Sequence, residues 1–249
     1  MNKFGIGQPV KRFEDRRLLS GKGRFINDVN LAGQAYAVVV RSPHSHARMV
    51  SVDAGEARAA PGVLAVFTGE DVAADGLGTM APTVQRKRPD GGPMFARSHP
   101  GLAIGWVRYV GDPFALVIAE SLMQAKDAAE LIAVEYDDLP SVTDTAQAAK
   151  GETAVWAECP DNISNIFESG DRAATEAAFA NADHVVSMTF DIGRVTGVPL
   201  EPRAALGAFD AASGRYTLYA GSGGVVRQKR EIAAVLNTDP SNVRVLAFD

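Results

Sequence analysis

Four short runs of apolar, mostly β-branched residues set the strongest limit on how this chain can fold. Each is bounded by Gly, Pro or polar residues, as buried strands usually are. Before the fourth run, Ser121 is placed to cap a helix over about Leu122–Ile132. The order strand, helix, strand predicts a layered α+β or α/β domain. The runs are Gln34–Arg41, Val63–Thr68, Phe114–Ala119 and Val134–Tyr136.

The segment Thr143–Ile163 is weakly patterned, and we place a domain boundary there, which gives domains at 1–145 and 146–249. A long loop is predicted over Asp75–Pro100, because this stretch is rich in Gly, Pro and charge. The second domain is predicted to continue as helix, strand, hairpin, helix and strand. These elements are Arg172–Asn181, His184–Ile192, Ala204–Phe209 with Tyr216–Ala220, a helix ending near Leu236, and Val243–Phe248.

Composition excludes several classes of protein. The chain has 249 residues, 46% of them hydrophobic and 22% charged, with net charge −5, which is ordinary for a globular protein. A basic arm over residues 1–24 is interpreted as a solvated or subunit-contacting segment rather than a nucleic-acid site. Its one cysteine can form no internal disulfide and cannot hold an iron–sulfur cluster alone. No apolar run suits a membrane span or a signal peptide, so we expect a cytoplasmic protein.

Several residues with reactive or metal-binding side chains are better explained as structural. His44 and His46 could share a metal, but no acidic residue or third His lies close by, so we interpret them as surface or hydrogen-bonded histidines. Cys159 has no legible His partner that would activate it. Glu201 and Arg203 are expected to form a structural ion pair. No metal site is predicted.

The glycine-rich run Gly221, Ser222, Gly223 and Gly224 is the best candidate for ligand binding. It joins a predicted strand to a predicted helix, and a helix that begins this way presents free N–H groups and its positive dipole end. Such a turn could receive an anion or let a cofactor approach the backbone. The alternative is a tight turn without a ligand, and the pattern alone leaves both open.

Six segments, in order along nearly the whole chain, resemble the large subunits of the xanthine dehydrogenase and aldehyde oxidase family. The bacterial carbon monoxide dehydrogenase-like branch is the most similar. The first segment resembles the opening of these subunits, the second their R-S-P-H-A-H-A-R-I motif, and the last their M-E-P-R motif. The segments are Gly7–Asp28, Arg41–Arg48, Tyr109–Pro113, Val134–Pro140, Gly170–His184 and Leu200–Arg203.

The resemblance implies an α+β chain in which an α/β hammerhead domain is followed by the start of a molybdopterin-binding domain. It implies a molybdenum hydroxylase whose cofactor is molybdopterin cytosine dinucleotide, with FAD and [2Fe–2S] clusters in partner subunits. The implied partners are the remainder of the large subunit, an iron–sulfur small subunit and an FAD medium subunit, assembled as a dimer of heterotrimers. Neither nucleic acid nor a membrane is among them.

Two departures from the family limit this expectation. The family carries Gln in the turn where this chain has Gly223, so carbon monoxide is a less suitable substrate than an aldehyde or N-heteroaromatic compound. The chain also ends at Asp249, before the family's cofactor loop and general-base glutamate, so no catalytic residue is assigned. We expect the isolated chain to hold no cofactor tightly and to be inactive, with apolar surface exposed around Val243–Phe248. The alternatives are a non-catalytic assembly module or truncated gene product, and a small-anion-binding protein.

Overall fold

The computed structural model of the chain describes residues 7, 9–88, 90–221 and 223–249. None of the helices in that part of the chain is long and apolar enough to cross a membrane. Two short 3-10 helices lie at Ile26–Asp28 and Pro240–Asn242. The helices and strands in chain order are α1 (Asp15–Leu19), β1 (Tyr36–Arg41), β2 (Ala47–Asp53), α2 (Gly55–Ala59), β3 (Val63–Thr68), α3 (Gly69–Ala74), β4 (Trp106–Val107), β5 (Pro113–Ala119), α4 (Leu122–Glu130), β6 (Ala133–Asp138), α5 (Thr145–Ala148), α6 (Arg172–Ala180), β7 (Ala205–Asp210), β8 (Arg215–Ala220), α7 (Val225–Val235) and β9 (Val243–Leu246).

The chain forms two compact units, one made of residues 35–198 and the other of residues 1–34 and 199–249. The boundary predicted from the sequence at 145/146 divides the chain into two continuous domains, whereas one of the compact units is made of two separate stretches. The boundary at 145/146 stays a prediction. The predicted linker is itself structured, because Cys159 is buried and Trp156 forms an antiparallel bridge with it. The combination of helices with mainly antiparallel sheets is the predicted α+β class.

The unit of residues 35–198 contains two antiparallel three-stranded sheets, in the orders β1-β5-β3 and β4-β2-β6. Strand β5 is central because its run is apolar on both faces. Val117 and Ala119 join one core cluster, whereas Phe114 and Ala115 join the other. In this unit the sequence predicted β1, β3, β5, β6, α4 and α6 but missed β2, β4, α2, α3 and α5.

Helix α4 covers the first of these core clusters. Ser121 caps it as predicted, since its hydroxyl accepts a hydrogen bond from the Gln124 N–H at 3.3 Å. The buried face is formed by Ala125 and Ala128, whose small side chains let the helix approach the sheet closely. Leu122, at the start of the helix, is 44% exposed.

The unit of residues 1–34 and 199–249 is built on a three-stranded sheet in the order β7-β8-β9. Strands β7 and β8 form the predicted hairpin, and β9 returns parallel to β8 after the crossover helix α7. The basic arm packs within the same unit. The Asp249 carboxylate accepts hydrogen bonds from the Arg17 side chain and the Arg24 N–H.

The strand predicted over His184–Ile192 is wrong for this structure. The segment is extended but pairs with no other described residue in a sheet. Its pattern is nevertheless that of a strand, because Val186, Met188, Phe190 and Ile192 alternate with polar residues. All four of these apolar side chains are exposed. A strand needs a neighbour to form its hydrogen bonds, and the described residues supply none.

Candidate functional site

The glycine-rich turn lies between the end of β8 at Ala220 and the start of α7 at Val225. Gly221, Gly223 and Gly224 are described, whereas Ser222 lies outside the described residues. Gly224 stands at the N-cap position of α7 and has no side chain with which to cap the helix. The first N–H groups of a helix have no partners within it, so this end carries partial positive charge. The chemistry of the turn therefore fits an anionic group.

Gly223 is not required by crowding. A Cβ atom built there would meet no atom within 4 Å. The absence of a side chain at Gly223 therefore leaves open space in front of α7.

Glu201 places a carboxylate beside this turn. A Cβ atom built on Gly221 would lie 4.0 Å from both of its carboxylate oxygens. Glu201 faces the turn and Arg203 is exposed. The ion pair between Glu201 and Arg203 stays a prediction. The negative charge on the Gly221 side means that an anion would approach from the Gly223 side.

A cavity of about 390 Å³ is lined in part by Glu201. Its walls come from two parts of the chain that are far apart in sequence but belong to the same compact unit. They are Phe25, Asn27, Asp28, Leu200, Glu201 and Pro202. Glu201 thus lies both on the cavity and next to the turn.

Gln228 braces the turn from inside α7, and sequence reasoning missed it. Its amide nitrogen donates to the Gly221 carbonyl at 3.4 Å. Its side-chain oxygen is buried and has no hydrogen-bond partner among the described residues. The available signal was its position four residues after Gly224, on the first turn of the helix. Arg227, the residue before Gln228, is paired with Glu231 at 2.8 Å.

The two histidines are held by protein groups, as the sequence predicted. His44 Nδ1 lies 2.5 Å from the Asp138 carboxylate, and its ring packs on Tyr136 with centroids 4.1 Å apart. His46 Nδ1 lies 2.8 Å from the Pro140 carbonyl oxygen. No group of three or more His, Cys, Asp or Glu side chains in the described ranges could hold a metal.

Cys159 is a buried structural thiol. Its Sγ donates to the Asp161 carboxylate at 3.3 Å and lies 3.6 Å from the Ile163 carbonyl oxygen. Burial raises the pKa of the Cys159 thiol, and the Asp161 carboxylate raises it further. The thiolate is therefore disfavoured at neutral pH, which opposes a role as nucleophile.

Two family models match the chain one after the other. Residues 20–140 match the a/b hammerhead domain of aldehyde oxidase and xanthine dehydrogenase. Residues 155–249 match the molybdopterin cofactor-binding domain. The candidate turn therefore lies in the part of the chain that matches the cofactor-binding domain.

Three relatives illustrate the similarity. The chain is 35% identical to the nicotine 6-hydroxylase large subunit of Paenarthrobacter nicotinovorans, over 98% of this chain and 29% of that protein. It is 38% identical to the 6-hydroxypseudooxynicotine dehydrogenase complex subunit gamma of the same organism, over 96% of this chain and 30% of that protein. Among solved structures, quinoline 2-oxidoreductase from Pseudomonas putida 86 has a TM-score of 0.85 at 33% identity, over 98% of this chain and 30% of that chain. The chain thus spans about 30% of the length of its relatives.

Proposed function

The chain belongs to the xanthine dehydrogenase and aldehyde oxidase family, and we propose that it works as the first part of a catalytic large subunit. It aligns with the N-terminal portion of such subunits and contains a hammerhead domain followed by a molybdopterin-binding segment. The complete enzyme would hydroxylate an aldehyde or N-heteroaromatic carbon with oxygen from water. The observation that carries this proposal is the ordered match of both domain models along one chain.

The residues around Gly223 suit the role of a wall beside the cofactor. The start of α7 offers backbone N–H groups to an anionic part of the cofactor, and Gln228 holds the turn through the Gly221 carbonyl. The cofactor, when bound, would supply the two-electron oxidation of substrate. The finer expectation is the cytosine dinucleotide form, with Gly221, Ser222, Gly223 and Gly224 as its contacts in this chain.

The open space at Gly223 supports a substrate larger than carbon monoxide. Two of the relatives are named for reactions of nicotine and quinoline compounds, which carry aromatic nitrogen rings. We therefore favour an N-heteroaromatic substrate over a small aldehyde.

We further propose that the remainder of the large subunit, an iron–sulfur subunit and an FAD subunit complete the assembly. A dimer of heterotrimers in the cytoplasm is the arrangement expected. The gamma-subunit name of one relative supports membership in a complex. The exposed apolar side chains of residues 184–192 also support a complex, because another part of the assembly could cover them.

The test is to isolate the native complex that contains this sequence, using antibodies raised against the 249-residue chain. We expect stoichiometric molybdenum, release of cytidine monophosphate on acid hydrolysis, and co-purifying flavin and iron. The recombinant 249-residue chain alone, as the control, should contain no molybdenum. A native form without molybdenum or further subunits would overturn the proposal in favour of a non-catalytic module.

A further inference from the structure

A second cleft, of about 430 Å³, lies within the unit of residues 35–198. This volume is in the range of small-molecule sites. The cleft is lined by aromatic rings and cationic side chains together, a combination that the glycine-rich turn lacks. The lining side chains with rings or charges that matter here are Arg97, His99, Trp106, Arg108, Tyr109 and Trp156.

Arg108 is the central cation of this cleft. Its guanidinium carbon lies 3.6 Å from the centroid of the Trp156 ring and 6.0 Å from that of Trp106. The Trp156 ring is held in turn by edge contacts with Phe95 and His99, whose ring centroids lie 6.0 and 6.2 Å away. Stacking of this kind holds the guanidinium group in place against the indole.

The Arg108 side chain lacks an acceptor that its burial demands. Its Nε atom is buried and has no hydrogen-bond partner among the described residues. A buried N–H group without a hydrogen-bond acceptor costs free energy, so a ligand that supplied an acceptor would be favoured. Burial also lowers the pKa of Arg108, although an arginine remains charged at any ordinary pH.

The acidic groups near the cleft are already engaged. Asp112 accepts the Arg108 backbone N–H at 3.0 Å. Glu158 is paired with Arg97 at 3.1 Å. Both carboxylates attract the Arg108 guanidinium electrostatically, but neither forms an ion pair with it among the described residues, so it can still meet an incoming anion. Beside it, Trp106 is 40% exposed and offers a flat apolar surface.

We propose that this cleft binds a small aryl carboxylate, whose carboxylate accepts hydrogen bonds from Arg108 while its ring packs against Trp106. The planar guanidinium matches a carboxylate, and the indole matches a flat ring. The ligand therefore needs both a carboxylate for Arg108 and an aromatic ring for Trp106. The inference does not depend on the proposed molybdenum enzyme.

Intrinsic fluorescence can report on this cleft directly, because the chain contains two tryptophans and both line it. The experiment is a titration of the 249-residue chain with benzoate. We expect saturable quenching. Benzamide keeps the ring without the charge, and cyclohexanecarboxylate keeps the charge without the flat ring. Each should bind about tenfold more weakly or worse.

Variants identify the residues responsible. Arg108→Gln should weaken benzoate binding by about tenfold or more, and Arg108→Lys should give an intermediate loss because the planar fork is missing. Trp106→Phe should also weaken binding while Trp156 still reports. Arg172→Gln is the matched control, because Arg172 pairs with Glu168 at 2.7 Å and does not line the cleft, so the affinity of this variant for benzoate should be unchanged.

Three results would overturn the proposal. One is the absence of saturable quenching with benzoate. Another is equal affinity in a folded Arg108→Gln variant, with folding verified by circular dichroism. The last is equal binding of benzoate and cyclohexanecarboxylate, which would show an anion site without ring recognition. Quenching that appears only on assembly with partner subunits, without a response to benzoate, would mean that a protein segment fills the cleft and would equally reject the proposal.

Discussion

Thr68 and Asp71 satisfy each other's polar groups at the start of α3. The Asp71 carboxylate accepts the Thr68 N–H at 2.7 Å and the Thr68 hydroxyl at 2.8 Å. The Thr68 hydroxyl in turn accepts the Asp71 N–H at 3.4 Å. This reciprocal cap ends β3 and begins the helix within one residue. The cap stabilises the junction between the core strand β3 and helix α3.

Removal of this cap should change how stability depends on pH. The bonds from Thr68, together with Arg58, lower the pKa of Asp71 below its ordinary value near 3.8. The lowered pKa means that the ionised form stabilises the fold above pH 3.8, and this stabilisation is lost as the pH falls through the folded-state pKa. Asp71→Asn should therefore lower the free energy of unfolding at neutral pH and flatten its decline in acid.

The expected loss for Asp71→Asn is about 0.5–1 kcal/mol, because the carboxylate is partly solvated. Urea unfolding at a series of pH values measures it. Glu70→Gln is the matched control, since it removes the same charge from the same helix without touching Thr68. If both variants show the same pH dependence, the cap does not determine the acid stability.

The buried thiol gives a second prediction. Because the pKa of Cys159 is raised and its side chain is 5% exposed, alkylation of the native chain at neutral pH should be slow. We expect the native rate with iodoacetamide to be roughly 100-fold below the rate in denaturant, as measured by mass spectrometry. The double variant Cys159→Ser with Ser213→Cys supplies an exposed thiol as control. Rapid labelling of the native chain would show that the thiol is accessible.

The sequence predicted those elements whose signal is local. β3 and β5 have unbroken apolar runs, and Ser121 supplies its own helix cap, so both strands and α4 could be read directly. β2 was missed because its run, Ala47–Asp53, contains Arg48, Ser51 and Asp53 and is buried at only some positions. Its identity as a strand comes from pairing with β6, which local pattern does not reveal.

The candidate site shows the same limit. The glycine run predicted a turn at the start of a helix, and α7 begins there. The sequence did not reveal that Glu201 would face Gly221, because that contact depends on where the chain before β7 runs. The strand pattern of residues 184–192 was read correctly as a pattern, but a partner strand decides whether it is realised.

The exposed segment of residues 184–192 should make the isolated chain associate. We expected the exposed apolar surface around Val243–Phe248, but Val243 is buried and Phe248 stacks on Tyr219. The apolar face formed by Val186, Met188, Phe190 and Ile192 is the larger one, and an extended segment with a free edge invites pairing between copies. Light scattering over a range of concentrations should show oligomers.

Phe190→Lys should reduce this association, because it places a charge on the apolar face. Thr189→Lys is the control, since it adds the same charge to the opposite face of the extended segment. A chain that stays monomeric at every concentration would show that this segment does not drive association. Equal effects of the two variants would show that the associating surface lies elsewhere. Co-expression with the remainder of the large subunit should suppress the oligomers if that part supplies the missing strand neighbour.

Gly223→Gln tests whether the glycine turn faces the substrate. Folding should be almost unaffected, with the free energy of unfolding changed by less than about 0.5 kcal/mol, because a Cβ atom at this position meets open space. Gly214→Gln is the matched control. Gly214 is equally uncrowded but has φ +67°, so the same substitution should cost roughly 1 kcal/mol or more. Because neither position is crowded, the difference in unfolding free energy between the two variants, measured in urea, reports backbone strain at Gly214.

In the assembled enzyme, the added amide should narrow the space in front of α7. We expect a raised KM or lost turnover with a large N-heteroaromatic substrate, and a smaller effect with a small aldehyde. Steady-state kinetics with both substrates decide the point. Unchanged KM and kcat for the large substrate, in a variant that folds normally, would show that Gly223 was selected for the turn alone and does not line the site.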